Sequence, residues 1–196
     1  MTDSGRKQSQ AATEKENVLD KLDGHDALLI LKALASEDQS IAKRIEQIAL
    51  EYLRGVDVED IASQVYSTLE SLEVEDLWDQ SGGTRYGYVE PSERACEMFE
   101  EALETFTDEL NKYLDLSLDK EAKNYCMGIL KGIDRFNRES RNQFKDWAED
   151  APFELSERIL DDWKKACKTP ELMQEMEDFV ERDLRKIGRA SCRERV

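Results

Sequence analysis

The chain has 196 residues, of which 37% are charged and 39% hydrophobic, and its formal net charge is −17. That much charge confines apolar residues to narrow stripes on amphipathic helices. No apolar run approaches the roughly 18 residues that a membrane span needs, and an acidic surface repels nucleic-acid phosphates. The composition therefore speaks against a membrane protein and against direct nucleic-acid binding, and the N-terminus lacks the apolar core of a signal peptide. It points to a cytoplasmic protein whose charged partner, if it has one, is basic.

Residues 1–20 are polar with little periodicity and read as a disordered or loosely ordered segment. A helix is expected from about Asp26 to Ala35, apolar on more than one side, and a second from about Asp38 to Arg54. Ser36 and Gln39 fit a capping box at the start of the second. Ile41, Ile45, Ile48, Ala49 and Tyr52 mark its buried stripe. So short a connection predicts an antiparallel hairpin. Asp57 caps a third helix, Val58 to about Leu72, and Glu73 to Gln80 form a short helical turn.

Ser81 to Glu90 reads S-G-G-T-R-Y-G-Y-V-E and is the one stretch where the backbone leaves helix. Pro91 then opens a long helix to about Asp115, since its missing N–H costs nothing in a first turn. Another helix covers about Ser117 to Asn137. Gly128 and Gly132 lie four residues apart on one face of it, where a second helix can approach closely. Shorter helices are expected at about Glu139 to Trp147, Pro152 to Cys167 and Pro170 to Lys186. No segment alternates apolar and polar residues like a strand, and no N-G or D-G hairpin turn appears. The fold class is all-α: an irregular helical bundle or short α-solenoid of antiparallel helix pairs, with one domain over residues 21–186.

Three groups of residues bear on chemistry. In the loop, Trp78, Tyr86 and Tyr88 offer flat amphipathic surface of the kind found at interface hot spots. Arg85 offers a fork donor for carboxylate or phosphate, and the glycines let a ligand approach the backbone. The alternative is that the aromatics pin the loop to the core and Arg85 pairs with Asp76 or Asp79. Cys96, Cys126 and Cys167 are widely spaced, His25 is the sole histidine, and no metal-ligand pattern or cofactor motif emerges. The cysteines read as buried or half-buried thiols. Phe144, Trp147, Phe153 and Trp163 read as one aromatic cluster. No catalytic residue can be named, and the chain leans away from an enzyme. It reads first as a non-catalytic acidic interaction module, an adaptor or scaffold binding a protein partner. The alternative is a small enzyme or ligand-binding domain that holds an anionic group in the loop between Trp78 and Pro91.

Residues 187–196, I-G-R-A-S-C-R-E-R-V, back-translate to a nucleotide string that resembles a common sequencing adapter. They read as a non-native tail, with the natural chain cut short near residue 186. The stretches D-V-E-D-I-A, D-L-W-D-Q-S-G-G-T-R-Y-G-Y-V-E-P, Y-C-M-G-I-L-K-G-I and F-K-D-W-A-E-D-A-P resemble uncharacterised prokaryotic helical proteins associated with SWIM-type zinc-finger proteins. This chain lacks the Cys-rich SWIM ligands itself. The resemblance transfers no catalytic residue; it implies a nucleic-acid-binding partner with a basic surface.

Overall fold

The computed structural model describes residues 18–85 and 87–184. Most of the N-terminal segment, Tyr86 and the tail from residue 187 therefore lie outside the described residues. The described chain is an all-α helical structure with one very small sheet. A short 3-10 turn, Val18–Lys21, precedes α1 (Gly24–Glu37) and α2 (Gln39–Leu53). Then come α3 (Val58–Glu70), α4 (Val74–Gln80), strands β1 (Gly82–Thr84) and β2 (Gly87–Val89), α5 (Pro91–Asp115), α6 (Asp119–Glu139), a 3-10 turn at Gln143–Asp146, α7 (Ala151–Ala166) and α8 (Pro170–Asp183). The sequence reads as one domain over 21–186; the packing divides the chain into two compact units, residues 1–52 and 53–196.

In the first unit, Asp23 caps α1 by accepting from the Asp26 N–H at 2.8 Å. Asp38, not Ser36, caps α2: its carboxylate accepts from the Ser40 N–H, while the Ser36 hydroxyl turns back to the Ala33 carbonyl. A carboxylate is the better acceptor for orphan N–H groups and complements the positive helix end. Neither helix contains a buried residue, and the expected zipping of α1 against α2 as a hairpin does not occur.

The second unit is built around α6. This helix packs against α3, α5, α7 and α8. It buries Ala122, Cys126, Ile129, Leu130, Ile133 and Phe136 almost completely. Ile129, Leu130, Ile133 and Phe136 each contribute about 1.5–3 kcal/mol of transfer free energy. The glycine face meets α3. A Cβ on Gly128 would lie 2.6 Å from the Ile61 Cβ, and one on Gly132 would lie 2.7 Å from the Ala62 carbonyl oxygen. Any side chain at either position would therefore force the two helices apart.

The joints of this unit are hydrogen-bonded. α5 ends with Ser117 at φ 55°, a left-handed position that glycine would occupy without strain. The Leu118 N–H reaches the Tyr113 carbonyl and the Ser117 N–H reaches that of Leu114, each at 3.0 Å. The helix expected over Glu139 to Trp147 is instead the end of α6, an extended Ser140, and one 3-10 turn. Asn142 forces this break by accepting from the Phe144 N–H, and Lys145 donates to the Asn137 and Ser140 carbonyls at the end of α6. A cation there satisfies carbonyls the helix leaves open. Thr169 stands at the N-cap of α8 without a side-chain capping bond; its hydroxyl donates instead to Asp119, tying the start of α8 to the start of α6. Two buried charges have partners, as burial requires: Lys123 pairs with Glu175, and Asp134 accepts from Arg138 at 2.7 Å.

Candidate functional site

The stretch S-G-G-T-R-Y-G-Y-V-E forms a two-stranded antiparallel hairpin, which corrects the expectation that no strand would occur. Gly82 pairs with Val89, Gly83 with Tyr88 and Thr84 with Gly87. Gly82 at φ 84° and Gly87 at φ 137° supply backbone angles that other residues resist. Strands of three residues are too short to show alternation, and the connection Arg85–Tyr86 carries no Asn-Gly or Asp-Gly signature.

The base of the hairpin is clamped. Arg94, in the first turns of α5, donates to the Gln80 side chain at the end of α4 at 2.7 Å and to Glu97 and Glu101 at 2.8 Å. Its side chain is 16% exposed. The hydrogen bonds it donates to Glu101 and then Glu97 raise the guanidinium pKa further, and the same contact holds the Glu101 carboxyl below its usual range. Pro91 is buried at the helix start. The hairpin itself stands clear: Gly83, Arg85, Gly87 and Tyr88 are exposed, Tyr88 to 70%. Among the described residues Arg85 has no hydrogen bond or ion pair, so it does not pair with Asp76 or Asp79.

Trp78 leads to a different surface. Its ring sits edge-on to Trp147, centroids 4.8 Å apart and planes at 77°, yet the residue remains 50% exposed. All four aromatics of the expected cluster join or pack against one core. Phe144 and Trp163 are fully buried, Phe153 and Trp147 are half-buried against the same core, and Trp147 also meets Trp78 of α4. Beside Trp78 lies an open groove of about 630 Å³. Leu72, Val74 and Trp78 supply its apolar part; Glu70, Glu73 and Glu75 supply carboxylates; Arg141, Asn142 and Gln143 close the far side.

Asn142 fixes that geometry. Its side-chain amide donates to the carbonyls of Leu72 at 2.8 Å and Glu70 at 3.1 Å, while its oxygen caps the following turn. One side chain thus joins the end of α3 to the turn after α6. Of the four residues singled out in the sequence, Trp78 lines the groove. Arg85 and Tyr88 belong to the hairpin and not to the lining, and Tyr86 lies outside the described residues. Sequence reading missed Leu72, Arg141 and Asn142 as site residues. The only local signal was an Asn ahead of an aromatic turn.

Among the described residues no three His, Cys, Asp or Glu side chains gather as metal ligands. Cys126 is buried and its thiol pKa is pushed up by desolvation; Cys96 is raised by burial and then by Glu154, Asp150 and Glu100. Thiols held protonated are poor nucleophiles. Among the described residues no helix is long and apolar enough to cross a membrane. Comparison with family models, with curated proteins and with solved structures finds no match for this chain.

Proposed function

We propose that the protein is a non-catalytic interaction module that takes a basic, partly apolar segment of a partner protein into the groove beside Trp78. The observation that carries this reading is the half-exposed indole of Trp78, propped on edge by Trp147, in a groove that also holds Glu70, Glu73 and Glu75. Burying a large aromatic on a rigid support is how interface hot spots gain most of their energy. An indole face with carboxylates around it suits a Lys or Arg side chain, through cation–π attraction and charge pairing together. The net charge of −17 favours encounter with a basic partner. Asn142 keeps the groove preformed, so little ordering cost opposes binding.

The test uses a short peptide of alternating Lys and Leu and a control with Glu in place of Lys, titrated by calorimetry and by Trp fluorescence. The basic peptide binds and the acidic control does not, and affinity falls as salt rises. Trp78→Ala weakens binding by roughly tenfold or more, and Glu73→Lys with Glu75→Lys weakens it further. Binding that neither variant alters, or no binding of the basic peptide, would refute the groove as the contact surface.

A further inference from the structure

The first unit presents apolar surface that nothing in the described chain covers. Leu28, Leu29, Leu31 and Leu34 of α1 are 48%, 52%, 43% and 38% exposed, and on α2 Ile41, Ile48 and Tyr52 are 36%, 51% and 85% exposed. Of these, Ile41, Ile48 and Tyr52 lie along one stripe of α2, the arrangement a helix-to-helix contact uses.

The charges around this surface fit a second copy of the same chain. Between residues 24 and 53 there are three basic and five acidic side chains, a net of −2 in a chain of −17, so two such segments repel one another only weakly. On α2 the spacing of Ile41, Ile45, Ile48 and Tyr52 is four, three, four, the spacing of a coiled-coil seam. Along one edge of that seam run Arg44, Gln47 and Glu51. Arg44 Nη1 donates to Gln47 Oε1 at 3.0 Å, and Gln47 Nε2 donates to Glu51 Oε1 at 3.1 Å. In an antiparallel two-fold pairing, Ile45 stacks on the partner copy's Ile48 and Ile41 on its Tyr52. Arg44 then falls opposite Glu51 of the other copy, twice. A two-fold interface needs this kind of self-complementarity, in which residue i meets j and j meets i.

We propose that the chain self-associates as an antiparallel dimer through the α2 seam of Ile41, Ile45, Ile48 and Tyr52, with Arg44 and Glu51 setting its direction and α1 adding apolar flank. The full 196-residue chain is examined by sedimentation and light scattering across a dilution series. The expected result is a reversible monomer–dimer equilibrium. Ile45→Glu with Ile48→Glu abolishes the dimer. Arg44→Glu alone and Glu51→Arg alone each raise the dissociation constant several-fold, because each places like charges opposite one another twice. The double variant Arg44→Glu, Glu51→Arg restores the wild-type constant, and an equimolar mixture of the two single variants forms heterodimers. Circular dichroism confirms that each variant stays helical. Should the Ile variants lose helicity, the charge-swap series decides, since it leaves the seam intact. A chain that stays monomeric up to about 1 mM would overturn the proposal. So would a dimer indifferent to the Ile substitutions, or a double charge swap no tighter than the single ones.

Discussion

α6 and α1 carry the same number of apolar residues, counting Ala, Cys, Met and Tyr: eight of 21 in α6 and eight of 14 in α1. Yet α6 is buried along its length and α1 buries nothing. Apolar content alone therefore does not decide which helix is sealed. The difference is in shape. Gly128 and Gly132 bring α6 into near backbone contact with α3, so that Val65, Ala62 and Leu69 have no exposed surface left. α1 presents bulky Leu and Ile side chains around much of its circumference, with no small-residue stripe into which a neighbour could settle. Close approach maximises both excluded water and dispersion contact, each of which fades over a gap of less than an ångström.

The largest expected effect comes from filling the gap. Gly132→Leu introduces a side chain where even a Cβ meets the Ala62 carbonyl at 2.7 Å and the Val65 Cβ at 2.6 Å. The helices must separate, and the loss should be about 3 kcal/mol or more, read as a lower denaturation midpoint. Gly132→Ala is the sharper variant. Helix propensity favours Ala by about 1 kcal/mol, so a net loss of stability would show that contact outweighs propensity here. If Gly132→Ala stabilised the protein, the close-approach account of this interface would be wrong. A smaller loss is expected of Asn142→Ala, which leaves the Glu70 and Leu72 carbonyls and the Phe144 N–H without their partner. About 1–2 kcal/mol should go, as for a lost cap with two further hydrogen bonds partly replaced by water. The same variant should loosen the groove and weaken peptide binding without touching Trp78.

Much of the second unit was legible because helix-period stripes and end signals are local. Pro91 and Pro170 open helices where their missing N–H predicts, and Asp57 caps α3 by accepting from Glu59 and Asp60. The four-residue glycine spacing on α6 announced a close neighbour correctly, though not that the neighbour is α3. The hairpin escaped because a three-residue strand has no room to alternate. The groove escaped because Asn142 and Leu72 stand 70 residues apart, and no local pattern reports that they meet. The bareness of α1 and α2 escaped for a related reason. Periodicity shows which face of a helix is apolar; it says nothing of whether another surface covers that face.

That last point gives the smallest expected effect, and it separates the two regions most clearly. Leu28→Ser and Leu31→Ser remove side chains that are 48% and 43% exposed, at positions with no buried neighbour on their own helix. At dilutions where the chain is monomeric, unfolding monitored by circular dichroism should move by no more than about 0.5 kcal/mol, as for ordinary surface substitutions. The matched change in the sealed pair, Val65→Ser, buries an unpartnered hydroxyl and leaves a cavity, and should cost several times as much. At high concentration the comparison sharpens further. If two copies cover α1 and α2, mass action adds stability to the wild-type chain, and Leu28→Ser with Leu31→Ser should reduce that added increment. An unfolding midpoint that depends on concentration in the wild type and less so in the variant would tie the exposed leucines to association. A loss comparable to that of Val65→Ser at every dilution would instead mean that α1 is held by the fold of a single chain.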